Sequence, residues 1–271
     1  MLLMTSCMRG ILASIERMSF QASTIGRFAR EAAAGGEGEV RAVFRRSCYA
    51  SFPGGRYVCI GDPSLGCGPL NALVADFRVP SLGERVTLDV AGARLWTPAP
   101  LSYHLDPDLQ ALRAAARGRA PREGLGCLVV DAHNSLSGHA QPALDAIERW
   151  LVGNALDDDA QALIGLGPGL TPSGDDYLGG VLISLHQLGR EAQARSLWRW
   201  LEPRLARTSA ISAAHLNAAA AGEGHEALHA CLQALAGANA DWPQLLSALD
   251  EVGHCSGWDS LAGLVAVAKL S

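Results

Sequence analysis

No stretch of this 271-residue chain reaches the roughly 18 consecutive apolar residues needed to span a bilayer. It also has no basic surplus. The formal net charge is −5, which speaks against a nucleic-acid protein with its usual basic face. The opening residues Met1-Leu-Leu-Met-Thr-Ser-Cys-Met-Arg-Gly10 lack the basic start and long apolar centre of a signal peptide, and Met4 and Met8 are alternative starts. No two cysteines stand as Cys-x-x-Cys. The seven at positions 7, 48, 59, 67, 127, 231 and 255 therefore suggest reduced, buried thiols of a cytoplasmic protein, not a zinc ribbon or a thioredoxin-type site. With 49% hydrophobic and 18% charged residues, a substantial core can form and wholesale disorder is excluded.

The two halves have different texture. In the first, Glu39–Tyr49, Arg56–Ile60, Leu70–Phe77, Glu84–Val90, Ala93–Trp96 and Gly126–Asp131 read as strands, with turn residues between most of them. One helix interrupts them at Asp106–Arg117. From Pro142, placed at a first-turn position, helical periodicity takes over: Ala143–Leu156, a helix through Leu178 and Leu185 stopping at Gly189, then Ala192–Arg207, Ser209–Ala221, Glu226–Ala236, Trp242–Val252 and Ser256–Leu270. Strands first and helices afterwards predict an α+β architecture, with a mixed or barrel-like sheet followed by an all-helical half. The boundary is expected in His133–His139, giving a strand-rich domain over 1–135 and a helical domain over 140–271.

The segment Gly165-Leu-Gly-Pro-Gly-Leu-Thr-Pro-Ser-Gly-Asp-Asp-Tyr-Leu-Gly-Gly180 is the strongest functional signal. So many glycines cost backbone entropy on ordering, and the loop runs into a helix whose N-terminal N–H groups can hold an anion. It has an echo, because Ser173–Gly180 and Ser256–Gly263 both read Ser-Gly-x-Asp-x-Leu-x-Gly. Capping and close helix packing would explain either copy alone. Two copies point to a composite pocket. In that pocket the backbone around Gly167, Gly169, Gly174 and Gly257, with Thr171, Ser173 and Ser256, would bind an anion. Asp175, Asp176 and Asp259 would hold an NH₂ group or a metal, and His254 is the nearest acid–base candidate, with packing against the last helix as its plainer role. Mg²⁺ bridging Asp175 and Asp176 to a phosphate, an amide held by a carboxylate, and simple capping all remain open.

Other motifs were weighed too. His225-Glu-Ala-Leu-His229 matches H-E-x-x-H, with Glu251 as a third ligand, but Gly222-Glu-Gly224 puts it at a fraying helix start, so a solvent-facing helix is expected instead of zinc. Ser64–Asn71 reads as a plain turn, with a second wall of the pocket as the alternative. Asp131, His133 and His139 fit a domain connection better than a metal site.

The strings GLGPGLTPSGDDYLGG, TSAISAAHLNAAAAG (Thr208–Gly222) and VGHCSGWDSLAGL (Val252–Leu264) resemble, in that order, domain-of-unknown-function family 2877. The resemblance covers most of the chain, with its motifs in the helical half. That family includes a subunit of bacterial oxamate carbamoyltransferase. The resemblance implies a small anionic substrate (oxamate, oxalurate, phosphate or carbamoyl phosphate), larger partner subunits and a role in ureide breakdown. A homo-oligomer is a further expectation. It implies no catalytic residues, so the site above rests on motif chemistry. The competing readings are a non-catalytic metabolite-binding or scaffold protein, a zinc peptidase, and a distant likeness to ADP-ribosylglycohydrolases that the strand-rich half fits poorly.

Overall fold

A computed structural model of the chain describes residues 17–101, 109–237 and 240–270. Met4, Cys7, Met8 and the expected helix start at Asp106 lie outside these ranges. The first half is an eight-stranded sheet in the order β1-β7-β3-β4-β5-β6-β2-β8. Its strands are β1 (Arg17–Gln21), β2 (Thr24–Gly26), β3 (Gly38–Val43), β4 (Ser47–Phe52), β5 (Arg56–Gly61), β6 (Asn71–Leu73), β7 (Arg85–Asp89) and β8 (Arg94–Trp96). β1 pairs in parallel with β7 near one edge, while β2, two residues further on, pairs with β6 and β8 at the other. Two bent segments, 17–26 and 85–96, thus serve both edges and curl the mixed sheet towards a barrel. The β4–β5 turn needs Gly54 and Gly55, whose φ angles are 80° and 70°. Phe20, Ile25, Phe52, Val58, Ile60 and Val86 fill the interior, and the short helix α1 (Arg27–Ala33) adds Ala29 and Ala32 to it.

A second core begins with α2 (Leu109–Ala116) and continues through α3 (Ser135–Leu151), α4 (Ser173–Gln187), α5 (Glu191–Leu201), α6 (Ala210–Ala220), α7 (Glu226–Ala236), α8 (Trp242–Asp250) and α9 (Ser256–Ala268). Two local expectations are corrected. Gly126–Val130 is a 3₁₀ segment, not a strand, because Leu125 and Gly126 bond to a helix side chain and Leu128 bonds back to Leu125. Pro142 lies inside α3, not in its first turn. Asn134 and Ser137 form a capping box that starts the helix earlier, and Pro142 sits on the exposed side, where water can satisfy the freed carbonyl.

α4 and α9 cross at the centre, buried on nearly every face. Their crossing depends on glycine. A Cβ at Gly180 would stand 2.0 Å from the Ser260 carbonyl oxygen, and one at Gly263 would stand 2.0 Å from that of Tyr177. In the sequence echo, Ser260 is the counterpart of Tyr177 and Gly263 of Gly180. The repeat is therefore a pseudo-two-fold helix pair, in which each copy's glycine receives the other copy's backbone.

Candidate functional site

The crossing brings both helix starts to one place, beneath a cavity of about 970 Å³ between the sheet and the helices. That is the upper range for small-molecule sites. Its floor includes Ser173, Asp175, Asp176, Ser256, Gly257 and Asp259, and the loop residues Gly169, Leu170 and Thr171 form one lip. The pairing across the floor is reciprocal. Ser173 hydrogen-bonds Asp259, Ser256 hydrogen-bonds Asp176, and Thr171 Oγ1 lies 2.9 Å from Ser256 Oγ. Each serine of the repeat serves the other copy's aspartate.

The three carboxyl groups nevertheless have different occupations. Asp175, 2% exposed, accepts from Gly165 N–H at 2.9 Å, from Ser212 at 2.7 Å and from the Thr208 hydroxyl. It ties the glycine loop to the start of α6, which leaves little coordination capacity for Mg²⁺. Asp259, 1% exposed, accepts from Leu125 and Gly126 N–H at 2.6 and 2.9 Å and so fixes the start of the 3₁₀ segment beside the cavity-lining residues 122–124. Burial pushes its carboxyl up to about 6, with Ser173 and those two amides pulling the other way. Asp176 has an oxygen that is enclosed and takes no hydrogen bond, although the residue as a whole is half-buried at the cavity. Burial, opposed by Ser256 and reinforced by Asp259 and Asp175, holds its carboxyl well above the usual range and so favours the protonated form.

The glycines also divide. Gly167 and Gly169 adopt φ of 109° and 96°, and their N–H groups find no backbone acceptor among the described residues. Gly174 and Gly257 differ from expectation. Their N–H groups are spent on the Leu166 and Val252 carbonyls at 2.9 and 3.1 Å, and a Cβ at either would press on a backbone oxygen, Leu163 at 2.0 Å or Leu249 at 2.5 Å. Close packing selects glycine there. His254 lies at the cavity mouth, 84% exposed.

The sheet supplies the opposite wall, including Leu65, Gly68, Pro69 and Asn71, so the 64–71 turn does face the cavity. Sequence reasoning missed Tyr49 and His215, whose Oη and Nε2 lie 2.9 Å apart across the sheet–helix junction. Burial pushes His215 down to about 4 and keeps it neutral. A lone histidine in the alanine-rich α6 was the available signal.

The H-E-x-x-H segment is not solvent-facing. It fastens helices to sheet. His225 Nε2 bonds the Leu65 carbonyl at 2.7 Å while Nδ1 accepts from Ala227 N–H, and Glu226 accepts from Cys67 N–H at 2.8 Å. His229 Nε2 accepts from Gly224 N–H at 3.0 Å, and Glu251 pairs with Arg46. Both imidazoles thus spend their acceptor nitrogens on backbone, leaving none for zinc. Asp131 pairs with Arg113 and Lys269, away from the exposed His133 and His139.

Residues 163–268 match the family described as oxamate carbamoyltransferase subunit AllH. The match lies within the helical half. The AllH segment runs from two residues before the glycine loop to the end of α9, and so contains both copies of the repeat and the cavity floor. The strand-rich half lies outside the match, which is narrower than the motif resemblance over most of the chain. No curated protein and no solved structure matches the chain. Among the described residues, no helix is long and apolar enough to cross a membrane.

Proposed function

We propose that the chain is a carbamoyltransferase subunit that binds oxalurate and phosphate in the cavity above the α4 and α9 starts. The observation that carries this reading is the coincidence of the AllH match with the cavity floor, where the Asp176 carboxyl keeps one enclosed oxygen without a hydrogen-bond partner. The Gly169 N–H group and the Thr171 hydroxyl hold an oxyanion at the lip, whereas Gly167 is not among the residues lining the cavity. Phosphate oxygen attacks the carbamoyl carbon of oxalurate, the bond from that carbon to the oxamate nitrogen breaks, and Asp176 gives its proton to that nitrogen. The products are carbamoyl phosphate and oxamate, and the Asp176 carboxylate regains a proton from solvent. Positioning and proton transfer supply most of the rate in such a step. Asp175, Asp259, Gly174 and Gly257 build the floor without touching substrate, and no metal is required of Asp175 and Asp176.

The family description names a subunit, which supports larger partners completing the enzyme. Phosphate-dependent cleavage of oxalurate should appear when the chain is combined with its partner subunits, and be absent or weak without them. Cleavage absent from the reconstituted complex, with or without Mg²⁺, would overturn the reading.

A further inference from the structure

At the cavity mouth three donor types converge. His254 Nδ1 is 3.2 Å from Cys255 Sγ and 3.9 Å from a Glu123 carboxylate oxygen, and all three donor atoms lie within 4.8 Å of one another. We infer that Glu123, His254 and Cys255 form a transition-metal site, suited to zinc or cobalt, opening onto the cavity. In a tetrahedral zinc centre, with bonds of about 2.0–2.3 Å, neighbouring donors stand roughly 3.4–3.6 Å apart. The two distances from His254 bracket that value, the third side is at most 4.8 Å, and the Glu123 side chain is exposed.

The donor chemistry is selective. Sulfur and imidazole nitrogen with one carboxylate favour zinc or cobalt over Mg²⁺ or Ca²⁺, which take oxygen ligands. The ligand-bearing segments are also held in register. His254 and Cys255 occupy the turn into α9, where Gly253, at φ 61°, lets the chain fold back against Ser256. Glu123 sits two and three residues before Leu125 and Gly126, whose amides are bound by Asp259 in the first turn of α9. Asp259 therefore joins the two halves of the metal site, which gives this buried carboxylate a positioning role. Asp259 and Glu123 place negative charge beside the thiol, a field that favours a cation. Three protein ligands leave a fourth position, and because all three residues line the cavity it can be filled from there.

This site is independent of the carbamoyl reading and is tested without substrate. The full chain, stripped of metal, is dialysed against zinc and the bound metal counted; cobalt is then used to look for a thiolate charge-transfer absorption. One metal per chain is expected, with the thiolate band present. Affinity should fall at least tenfold in His254→Ala and in Cys255→Ser, which also loses the band. Glu123→Gln should weaken binding about tenfold, while His229→Ala leaves it unchanged. Because Glu123 and His254 are 78% and 84% exposed, their metal-free variants should melt like the parent. Zinc held equally by a His254→Ala, Cys255→Ser double variant, or no zinc held at all, overturns the inference.

Discussion

Asp176→Asn is expected to slow carbamoyl transfer by about 10²–10⁴-fold while the protein stays folded, the range of general acid catalysis. Asparagine keeps the shape and can donate a hydrogen bond, but it has no proton to give to the departing nitrogen. In the wild type, burial outweighs the hydrogen bond from Ser256 and raises the carboxyl, and the neighbouring Asp259 and Asp175 disfavour ionisation further, which favours the proton-bearing form. The pH profile follows from that sign. Activity needs the protonated form, so the wild-type rate should decline as pH rises through the raised Asp176 pKa, and that limb should vanish from the residual activity of Asp176→Asn. Steady-state rates across pH on the reconstituted enzyme measure both effects. A loss under tenfold, with the alkaline limb kept, would assign the proton elsewhere.

The second large effect is on stability. Gly180→Ala and Gly263→Ala should each cost about 3 kcal/mol or more, at the top of the overpacking range, because the added carbon would stand 2.0 Å from a carbonyl of the facing helix. Neither α4 nor α9 has a free side towards which it can retreat. Out of a total of roughly 5–15 kcal/mol, that is a serious fraction. At roughly 2–4 °C per kcal/mol, the melting midpoint should fall by about 6–12 °C. Gly179 is the control. A Cβ there would meet only the Ala219 side chain, at 3.8 Å. Gly179→Ala should therefore be neutral or gain up to about 1 kcal/mol from helix propensity. Denaturant unfolding of the three variants separates the cases, and equal behaviour of Gly179→Ala and Gly180→Ala would remove the pseudo-two-fold crossing from the account.

Periodicity made much of the fold legible. The helices at Glu226–Ala236 and Trp242–Asp250 and the strands around Arg56 and Arg85 follow from local apolar spacing alone. What escaped depends on distant partners. Gly126–Val130 has strand-like composition, yet Asp259, more than 130 positions away, takes the amides beside it. β1 and β2 are short and draw their pairing from β7, β6 and β8, so their role in curling the sheet was not readable locally. At the site, the Ser-Gly-x-Asp echo marks two helix starts, α4 and α9, whose residues both line the cavity. It could not distinguish Gly174 from Gly167, because whether a glycine packs or presents its N–H depends on which carbonyl lies opposite. For the same reason three similar aspartates proved to do three different things. The histidines of the HEALH segment misled in another way, since burial against the Leu65 turn is a tertiary fact.

The central claim, that the cavity over the α4 and α9 starts holds the carbamoyl substrate, is tested most directly by a crystal structure with oxamate and phosphate bound. The account predicts an oxyanion against the Gly169–Thr171 backbone and the oxamate amide within hydrogen-bonding distance of Asp176. Ligands bound elsewhere on the protein, with this cavity empty at concentrations that saturate the enzyme, would contradict it.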